Sequence, residues 1–302
     1  MSESIENSLG KLLAREIAGF VKLTSCQKLT AGASQETYRI RIDTDRGEEQ
    51  FALRRSVPTL LADSNLGVIG PAVEAQLFEL AAAAGIPEPE VRYVLCEADE
   101  LGQGFLMQWL DGETLGHRIV RHGDYAALRP ELAYQCGETL ARIHNLDIGS
   151  TDLQTVLPTV APDELIQATW EYYRDLNIPL PMIDYTWRWL LENLPDASRT
   201  TLVHGDFRNG NLMVTPAGIN AVLDWELAHI GDPVRDLGWL CVNSWRFGNS
   251  ELAVGGFGEI DDLLAGYQSV AGMEIPRAEL HFWQVFGSFW WAVTCLRMAQ
   301  SW

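Results

Sequence analysis

The chain has 302 residues, of which 47% are hydrophobic and 21% charged, a composition typical of globular proteins rather than disordered or fibrous chains. A single core rarely grows beyond about 250 residues, so we expect two packed lobes. The formal net charge of −19 disfavours nucleic acid and anionic membrane as partners, because both are negatively charged. A neutral or cationic small substrate suits this field better.

The distribution of cysteine and apolar residues bears on the cellular compartment. The five cysteines lie far apart and form no C-x-x-C pair, so they indicate neither a disulfide framework nor a zinc site. The first ten residues are acidic and polar, unlike a secretory signal. The longest apolar stretch, 282–296, is interrupted by polar residues and is shorter than the ~20 residues that cross a bilayer. We therefore expect a cytoplasmic protein with a buried helix at 282–296.

The first part of the chain has the patterns of a small α+β lobe. Apolar residues at helical spacing predict an amphipathic helix over 5–20. Alternating residues around the turn Asp45-Arg46-Gly47 predict a hairpin over 36–54. Pro71 opens a predicted helix that ends before Gly85, and strands are predicted at 91–95 and 105–110. The predicted order of strand, strand, helix, strand, strand closes a small α+β lobe at residues 1–110.

The remainder of the chain, 111–302, is predicted to form a larger and mainly helical lobe. Its clearest helix spans 125–144, and 170–194 reads as two more helices around Pro179 and Pro181. Short apolar runs at 202–203, 212–214 and 221–223 are separated by Gly, Asn and Pro, which is typical of small strands that present loops.

Those loops carry the densest polar chemistry in the chain. His204-Gly205-Asp206 is followed by Asn211 five residues after the aspartate, and by Asp224 thirteen residues later. Two carboxylates and an amide oxygen suit phosphoryl transfer, which needs a group to orient a hydroxyl and hard oxygen ligands for Mg²⁺. Each residue alone is common in turns, so the joint spacing carries the inference.

The segments HGDFRNGN and LDWE resemble the catalytic loop and metal-binding motif of the aminoglycoside phosphotransferase and choline kinase-like family, relatives of the protein kinases. The resemblance implies a bilobal, protein-kinase-like α+β fold that uses ATP and Mg²⁺. It assigns nucleotide binding to the lobe at 1–110, and catalysis and substrate binding to the lobe at 111–302. It implies Asp206 as the catalytic base, Asn211 and Asp224 as magnesium ligands, and His204 as a brace of the loop. Glu226 is a weaker candidate, for an outer-sphere contact to the metal.

Upstream segments resemble the nucleotide-binding parts of the same family. In LTAGASQETYRI, residues Gly32, Ala33 and Ser34 would form the turn over the phosphates. FALRR stands where protein kinases carry a phosphate-binding lysine, and offers Arg54 instead. Glu74 would pair with Arg54, although it also reads as a solvated helix residue.

Two further segments extend the resemblance, which covers roughly residues 25–245. In FLMQWLDGETL, backbone groups from Gln108 to Leu110 would meet the adenine edge. In GDPVRDLGWL, we expect Asp232 and Asp236 to cap or brace rather than to catalyse.

Three functions compete. The favoured one is an ATP-dependent phosphotransferase acting on a small-molecule hydroxyl; patterns for a P-loop, a serine elbow and a dinucleotide site are absent from the sequence. Details of LTAGASQETYRI and FALRRS resemble the branch with the kinase-like domain fused to some acyl-CoA dehydrogenases, which slightly favours a metabolic hydroxyl, such as a hydroxyacyl thioester, over an aminoglycoside. A catalytically silent nucleotide-binding module and a metal-dependent hydrolase built on His204, Asp206 and Asp224 are the alternatives.

Overall fold

The computed structural model describes residues 2–29, 35–56, 68–196 and 199–300. The chain separates into two compact units, the first ending at Asp111 and the second continuing from Gly112. As a division of function, the lobes predicted at 1–110 and 111–302 stay a prediction.

The first unit contains a five-stranded antiparallel sheet in the order β1-β2-β3-β5-β4. Leu9, Leu12 and Leu13 of the first helix are buried in one core cluster with Ile40 and Leu53 of the sheet. The elements in chain order are α1 (Ser2–Glu16), β1 (Phe20–Lys28), β2 (Gln35–Thr44), β3 (Gly47–Ser56), α2 (Pro71–Ala83), β4 (Val91–Val94) and β5 (Gly104–Gln108).

The prediction of a helix over 5–20 is wrong beyond Glu16, because β1 begins at Phe20. Gly19 adopts a φ of +76°, and a side chain there would meet Oδ1 of Asp45 at 2.1 Å, so the backbone turns where the helical pattern continues. The strand was missed because it lies at the sheet edge and its side chains are exposed or only half-buried, which weakens the period-2 pattern.

The second unit is mainly helical, with two small two-stranded sheets in which β6 pairs with β9 and β7 with β8. Two glycines let α4 and α9 pack closely, since a Cβ at Gly137 or Gly266 would lie 2.1 Å from a backbone oxygen of the other helix. Its helices are α3 (Gly116–Arg121), α4 (Arg129–His144), α5 (Leu153–Val156), α6 (Pro162–Asp175), α7 (Pro181–Glu192), α8 (Val234–Leu240), α9 (Ile260–Ala271) and α10 (Arg277–Gln300). Its strands are β6 (Thr201–Val203), β7 (Leu212–Thr215), β8 (Gly218–Val222) and β9 (His229–Gly231).

Most predicted elements of this unit are present with shifted ends. The helix predicted over 125–144 starts at Arg129, the pair predicted within 170–194 starts earlier at Pro162, and β9 was not predicted. The apolar stretch 282–296 lies inside α10, which buries one face. Within the described ranges, no helix is long and apolar enough to cross a bilayer.

Candidate active site

The loop between β6 and β7 carries the predicted catalytic residues, and its first turn is fixed by a carboxylate from α8. Gly205 has a φ of +85°, and a Cβ there would lie 2.3 Å from the carbonyl oxygen of Leu227, so glycine is required. The backbone N–H groups of His204 and Gly205 donate to the two carboxylate oxygens of Asp236 at 2.8 and 2.9 Å. Asp236 therefore braces the loop, as the sequence predicted.

Asp236 is held ionised by its surroundings. Burial alone would raise its pKa, but the hydrogen bond from His144 and the nearby cationic groups bring the pKa of Asp236 down to about 2. His144 in turn is hydrogen-bonded to the hydroxyl of Tyr267 at 3.0 Å. A chain of buried polar groups thus ties α4 and α9 to the loop. Asp232 also braces, accepting from the backbone N–H of Val234 and the indole of Trp283.

His204 spans the loop with both ring nitrogens. Its Nδ1 accepts from the backbone N–H of Asp206, and its Nε2 donates to the carbonyl of Leu223, each at a distance of 3.2 Å. Burial lowers the pKa of the imidazole to about 4, so the ring is neutral at physiological pH. Because backbone groups occupy both nitrogens, His204 is unavailable as a metal ligand, which argues against the hydrolase alternative.

The carboxylate of Asp206 accepts three side-chain hydrogen bonds. Its Oδ1 receives Nε of Arg208 at 2.9 Å and the indole Nε1 of Trp239 at 2.7 Å, while its Oδ2 receives Nδ2 of Asn211 at 2.6 Å. Burial raises the pKa of Asp206 to about 6, with the charge of Arg208 opposing the rise and that of Asp224 adding to it. A buried carboxylate with a pKa near neutrality matches what a general base requires.

Asn211 ends the loop between β6 and β7, and Asp224 follows β8. The backbone N–H of Leu223 donates to the carbonyl of Asn211 at 2.7 Å, which fixes the residue that precedes Asp224. Asp224 itself has a φ of +70°, a left-handed conformation that non-glycine residues adopt at a cost. Because Nδ2 of Asn211 donates to Asp206, its oxygen is the atom suited to a cation.

The donor set fits magnesium better than a softer metal. An amide oxygen and a carboxylate are hard ligands, and Mg²⁺ in phosphoryl-transfer sites takes its remaining ligands from phosphates and water. Among the described residues, no group of three or more His, Cys, Asp or Glu side chains could hold a metal ion.

In the first unit, the predicted pair of Arg54 and Glu74 is present. Arg54 contacts Oε1 of the buried Glu74 at 3.2 Å. Gln35 joins both: its Oε1 accepts from Nε of Arg54 at 2.7 Å, and its Nε2 donates to Oε2 of Glu74 at 3.2 Å. The alternative of a solvated Glu74 is wrong, since its side chain is fully buried.

The other nucleotide-binding predictions have mixed outcomes. The turn of Gly32, Ala33 and Ser34 lies outside the described residues. Gln108 ends β5, and its backbone N–H donates to the carbonyl of Glu90 at 2.8 Å, so that N–H is already used within the sheet. Leu110 follows as a half-buried residue. A contact of this segment with adenine stays a prediction.

Sequence reasoning missed three residues around the predicted site, namely Gln35, Arg208 and Trp239. Arg208 is two positions after Asp206 in the sequence, so a contact between the two side chains could have been predicted. Gln35 lies diagonally from Arg54 across the pairing of β2 with β3, which a correct register would have shown. Trp239 is separated from Asp206 by 33 positions, and no local pattern predicts that contact.

Trp239 belongs to a cluster of four tryptophans, which we call the tryptophan cluster: Trp239, Trp245, Trp290 and Trp291. The guanidinium of Arg208 lies 4.3 Å from the centre of the Trp245 ring, a cation–π distance. Arg208 is thus fixed between this ring and Asp206. The tryptophan cluster borders the candidate base directly.

The model of the phosphotransferase enzyme family APH matches residues 25–273, a longer match than the 25–245 expected from the motifs. The chain belongs to this family.

Individual relatives extend the comparison. The mouse acyl-CoA dehydrogenase family member 10 is 29% identical over 93% of this chain, which spans only 25% of that protein's length. A solved structure described as a putative aminoglycoside phosphotransferase from Ralstonia eutropha superposes with a TM-score of 0.69 at 22% identity, covering 96% of this chain and 87% of that one. An ADP-bound aminoglycoside phosphotransferase gives a TM-score of 0.57 at 16% identity, covering 98% and 90%. The α+β, protein-kinase-like fold predicted from the sequence is confirmed.

Proposed function

We propose that this chain transfers the γ-phosphate of ATP to the hydroxyl of a small molecule. The observation that carries the proposal is the carboxylate of Asp206, buried, hydrogen-bonded on both oxygens, and with a pKa raised to about 6. Family membership and the ADP in a structure of the same fold support the use of a nucleotide.

Asp206 acts as the base that orients the acceptor hydroxyl and takes its proton. At pH 7 to 8 a carboxyl with a pKa near 6 is mostly ionised, yet it is more basic than an exposed aspartate. Arg208, Trp239 and Asn211 keep the carboxylate in one orientation, so little reorganisation accompanies the transfer.

Asn211 and Asp224 would hold Mg²⁺, which neutralises charge on the phosphates when bound. Two observations support this proposal. Both residues offer oxygen donors, and the backbone hydrogen bond from Leu223 to Asn211 links Asn211 to the residue that precedes Asp224. Glu226 is half-buried on the turn that follows Asp224, so an outer-sphere contact stays a prediction for this residue.

Arg54 would grip phosphate oxygens of the nucleotide, oriented by Gln35 and Glu74. Gln35 and Glu74 fix the planar guanidinium of Arg54, so its N–H donors point in one plane. This planar set of donors would take the role that the ammonium group of a lysine has in protein kinases. Gly32, Ala33 and Ser34 would cover the phosphates, and the segment from Gln108 to Leu110 would meet the adenine.

The test incubates the protein with Mg-ATP and a panel of alcohols, aminoglycosides and hydroxyacyl thioesters, and follows each acceptor by mass spectrometry. The expected result is a gain of one phosphoryl group by at least one acceptor class, lost in Asp206→Ala. Full transfer by Asp206→Ala would show that the assigned mechanism is wrong.

The silent-module alternative makes a different prediction in the same experiment. Mg-ATP would raise the melting temperature, yet no acceptor would gain mass and ATP would hydrolyse no faster than in Asp206→Ala. The silent-module alternative rests mainly on the absence of a lysine at position 54. The ion pair of Arg54 with Glu74 disfavours that alternative, because Arg54 supplies a cation with an ordered carboxylate partner at this position.

A further inference from the structure

The guanidinium of Arg208 is held in a defined position beside the candidate base. Its Nε donates to Oδ1 of Asp206 at 2.9 Å, and its Nη1 donates to the carbonyl of Asn209 at 2.9 Å. One face of the guanidinium lies 4.3 Å from the centre of the Trp245 ring. A Cβ at Gly210 would lie 2.5 Å from Nη1, so the glycine leaves room for this group. Arg208 is thus ordered before any ligand arrives.

The ring that Arg208 stacks on is itself tied to the loop between β6 and β7. The buried side chain of Asn209 donates through Nδ2 to the carbonyl of Trp245 at 3.2 Å and to that of Gly255 at 2.6 Å. These two bonds hold the segment 245–255 against the loop. The protein's own contacts therefore fix the plane of the guanidinium, and a cation fixed in this way needs little reorganisation when charge develops beside it.

One N–H group of Arg208 is left for a ligand. Nη2 lies on the same edge of the planar guanidinium as the Nε that binds Asp206. Within the part of the chain that the structure describes, Nη2 donates to no acceptor, and it is not a buried atom. The side chain of Arg208 is 23% exposed, so this donor faces solvent next to the carboxylate. A ligand that reaches Asp206 therefore meets a cationic donor with unused capacity.

The proposed reaction brings an anionic group to this place. The acceptor oxygen forms a bond to the γ-phosphorus while the bond from that phosphorus to the bridging oxygen of ATP breaks, and the bridging oxygen leaves with the electron pair on ADP. The hydroxyl proton passes to Asp206, so the transferring phosphoryl group is one acceptor oxygen away from this carboxylate. Two negative groups at this distance repel each other, and a cation between them offsets the repulsion.

We propose that Nη2 of Arg208 donates to an outer oxygen of the γ-phosphoryl group, in bound ATP and throughout the transfer. Arg208 is then a catalytic residue and not only a support for the carboxylate of Asp206. The proposal rests on the proposed function and deepens it, because it assigns the charge on the transferring group to a side chain of the same loop that carries the base.

Calorimetry with two nucleotides tests the contact without an acceptor. The probes are Mg-AMP-PNP, a non-hydrolysable analogue of ATP that has the γ-phosphoryl group, and Mg-ADP, which lacks it. Arg208→Met should weaken Mg-AMP-PNP about tenfold, as expected for the loss of a charge-assisted hydrogen bond, and should change Mg-ADP less than about twofold. Arg208→Gln, which removes the charge and keeps a polar side chain of shorter reach, should behave in the same way. Arg188→Met, the same change of charge at an exposed position of α7, should alter neither affinity.

A double variant separates a direct contact from repulsion by Asp206. Arg208→Met leaves the Asp206 carboxylate without its cationic partner, and that carboxylate alone would repel the γ-phosphoryl group. In the Asp206→Asn background this repulsion is absent, so adding Arg208→Met should still weaken Mg-AMP-PNP about fivefold or more. Circular dichroism and melting temperatures establish that each variant folds. The proposal would be overturned by unchanged Mg-AMP-PNP binding in Arg208→Met, by equal losses for both nucleotides, or by no loss in the Asp206→Asn background.

The proposed function fails separately. Selective loss of Mg-AMP-PNP binding in Arg208→Met, with no phosphate transfer by the wild type to any acceptor, would count against the phosphotransferase alone. Phosphate transfer by the wild type, with full Mg-AMP-PNP affinity in Arg208→Met, would reject the role of Arg208 alone. A wild-type protein that binds neither nucleotide would reject both.

Discussion

The indole Nε1 of Trp239 donates to Oδ1 of Asp206 at a distance of 2.7 Å, and this bond joins α8 to the loop that carries the candidate base. A neutral donor stabilises the ionised carboxylate without removing its charge. The bond therefore holds the pKa of Asp206 below the value that burial alone would give, while it fixes the orientation of the carboxylate.

Replacing Trp239 by Phe should move the acidic limb of the pH–rate profile to higher pH. Loss of one hydrogen bond to the charged form, worth about 1 kcal/mol, raises the pKa of Asp206 by up to about one unit. The measurement is kcat/KM for phosphate transfer between pH 5 and 9. Trp189→Phe on α7, outside the tryptophan cluster, is the control. An acidic limb that stays in place in Trp239→Phe would contradict the assigned role.

The stability of Asp206→Asn relative to the wild type should depend on pH. The folded-state pKa of about 6 lies above the unfolded value near 3.9, so ionisation of Asp206 destabilises the fold. That cost is fully present above pH 6 and disappears as the pH falls to 4. The variant should therefore gain relative stability from pH 4 to pH 8, by at most about 3 kcal/mol in urea unfolding. A difference independent of pH would show that the carboxyl has an ordinary pKa.

Removing one partner of the Arg54–Glu74 pair should cost more stability than removing both. Glu74 is fully buried, so Arg54→Met leaves a buried carboxylate without its cation, a loss of about 3 kcal/mol or more. Arg54→Met with Glu74→Met should recover much of that loss. Urea unfolding of the two single variants and the double variant measures the coupling. Additive losses would contradict an energetically coupled pair.

Asp224→Gly should separate function from folding. Glycine adopts the φ of +70° without the strain of a side chain, so unfolding free energy should stay within about 1 kcal/mol of the wild type or increase. Phosphate transfer should fall sharply, because the carboxylate proposed to hold Mg²⁺ is gone. Asp224→Asn, which keeps the shape of the side chain, should show the same loss of transfer. Phosphate transfer at the wild-type rate in either variant would contradict the proposed role of Asp224 in holding Mg²⁺.

The parts of the site that follow from local sequence were predictable, and those that depend on distant contacts were not. The loop around Asp206 could be predicted from one sequence segment. Its turn requires the positive φ of Gly205, and the side chain of Asn211 donates back to the carbonyl of Asp206. Arg54 and Glu74 followed from the order of the motifs. Gln35 needed the strand register, and β1 gave little periodic signal because it lies at an exposed sheet edge.

Trp239 illustrates the limit of local sequence patterns. Its contact with Asp206 spans 33 positions, and its helix α8 is packed on α10 through close approaches at Gly238 and Gly287. Glycine at a helix crossing has no local signature that distinguishes it from a weak helix former.

A single-turnover measurement of phosphate transfer with Asp206→Asn, paired with calorimetry of Mg-ATP binding, tests the central claim most directly. If Asp206 is the base, transfer should slow by 10²-fold or more while the Kd for Mg-ATP changes less than about threefold. Transfer at the wild-type rate would contradict the account, as would an equal loss of nucleotide binding.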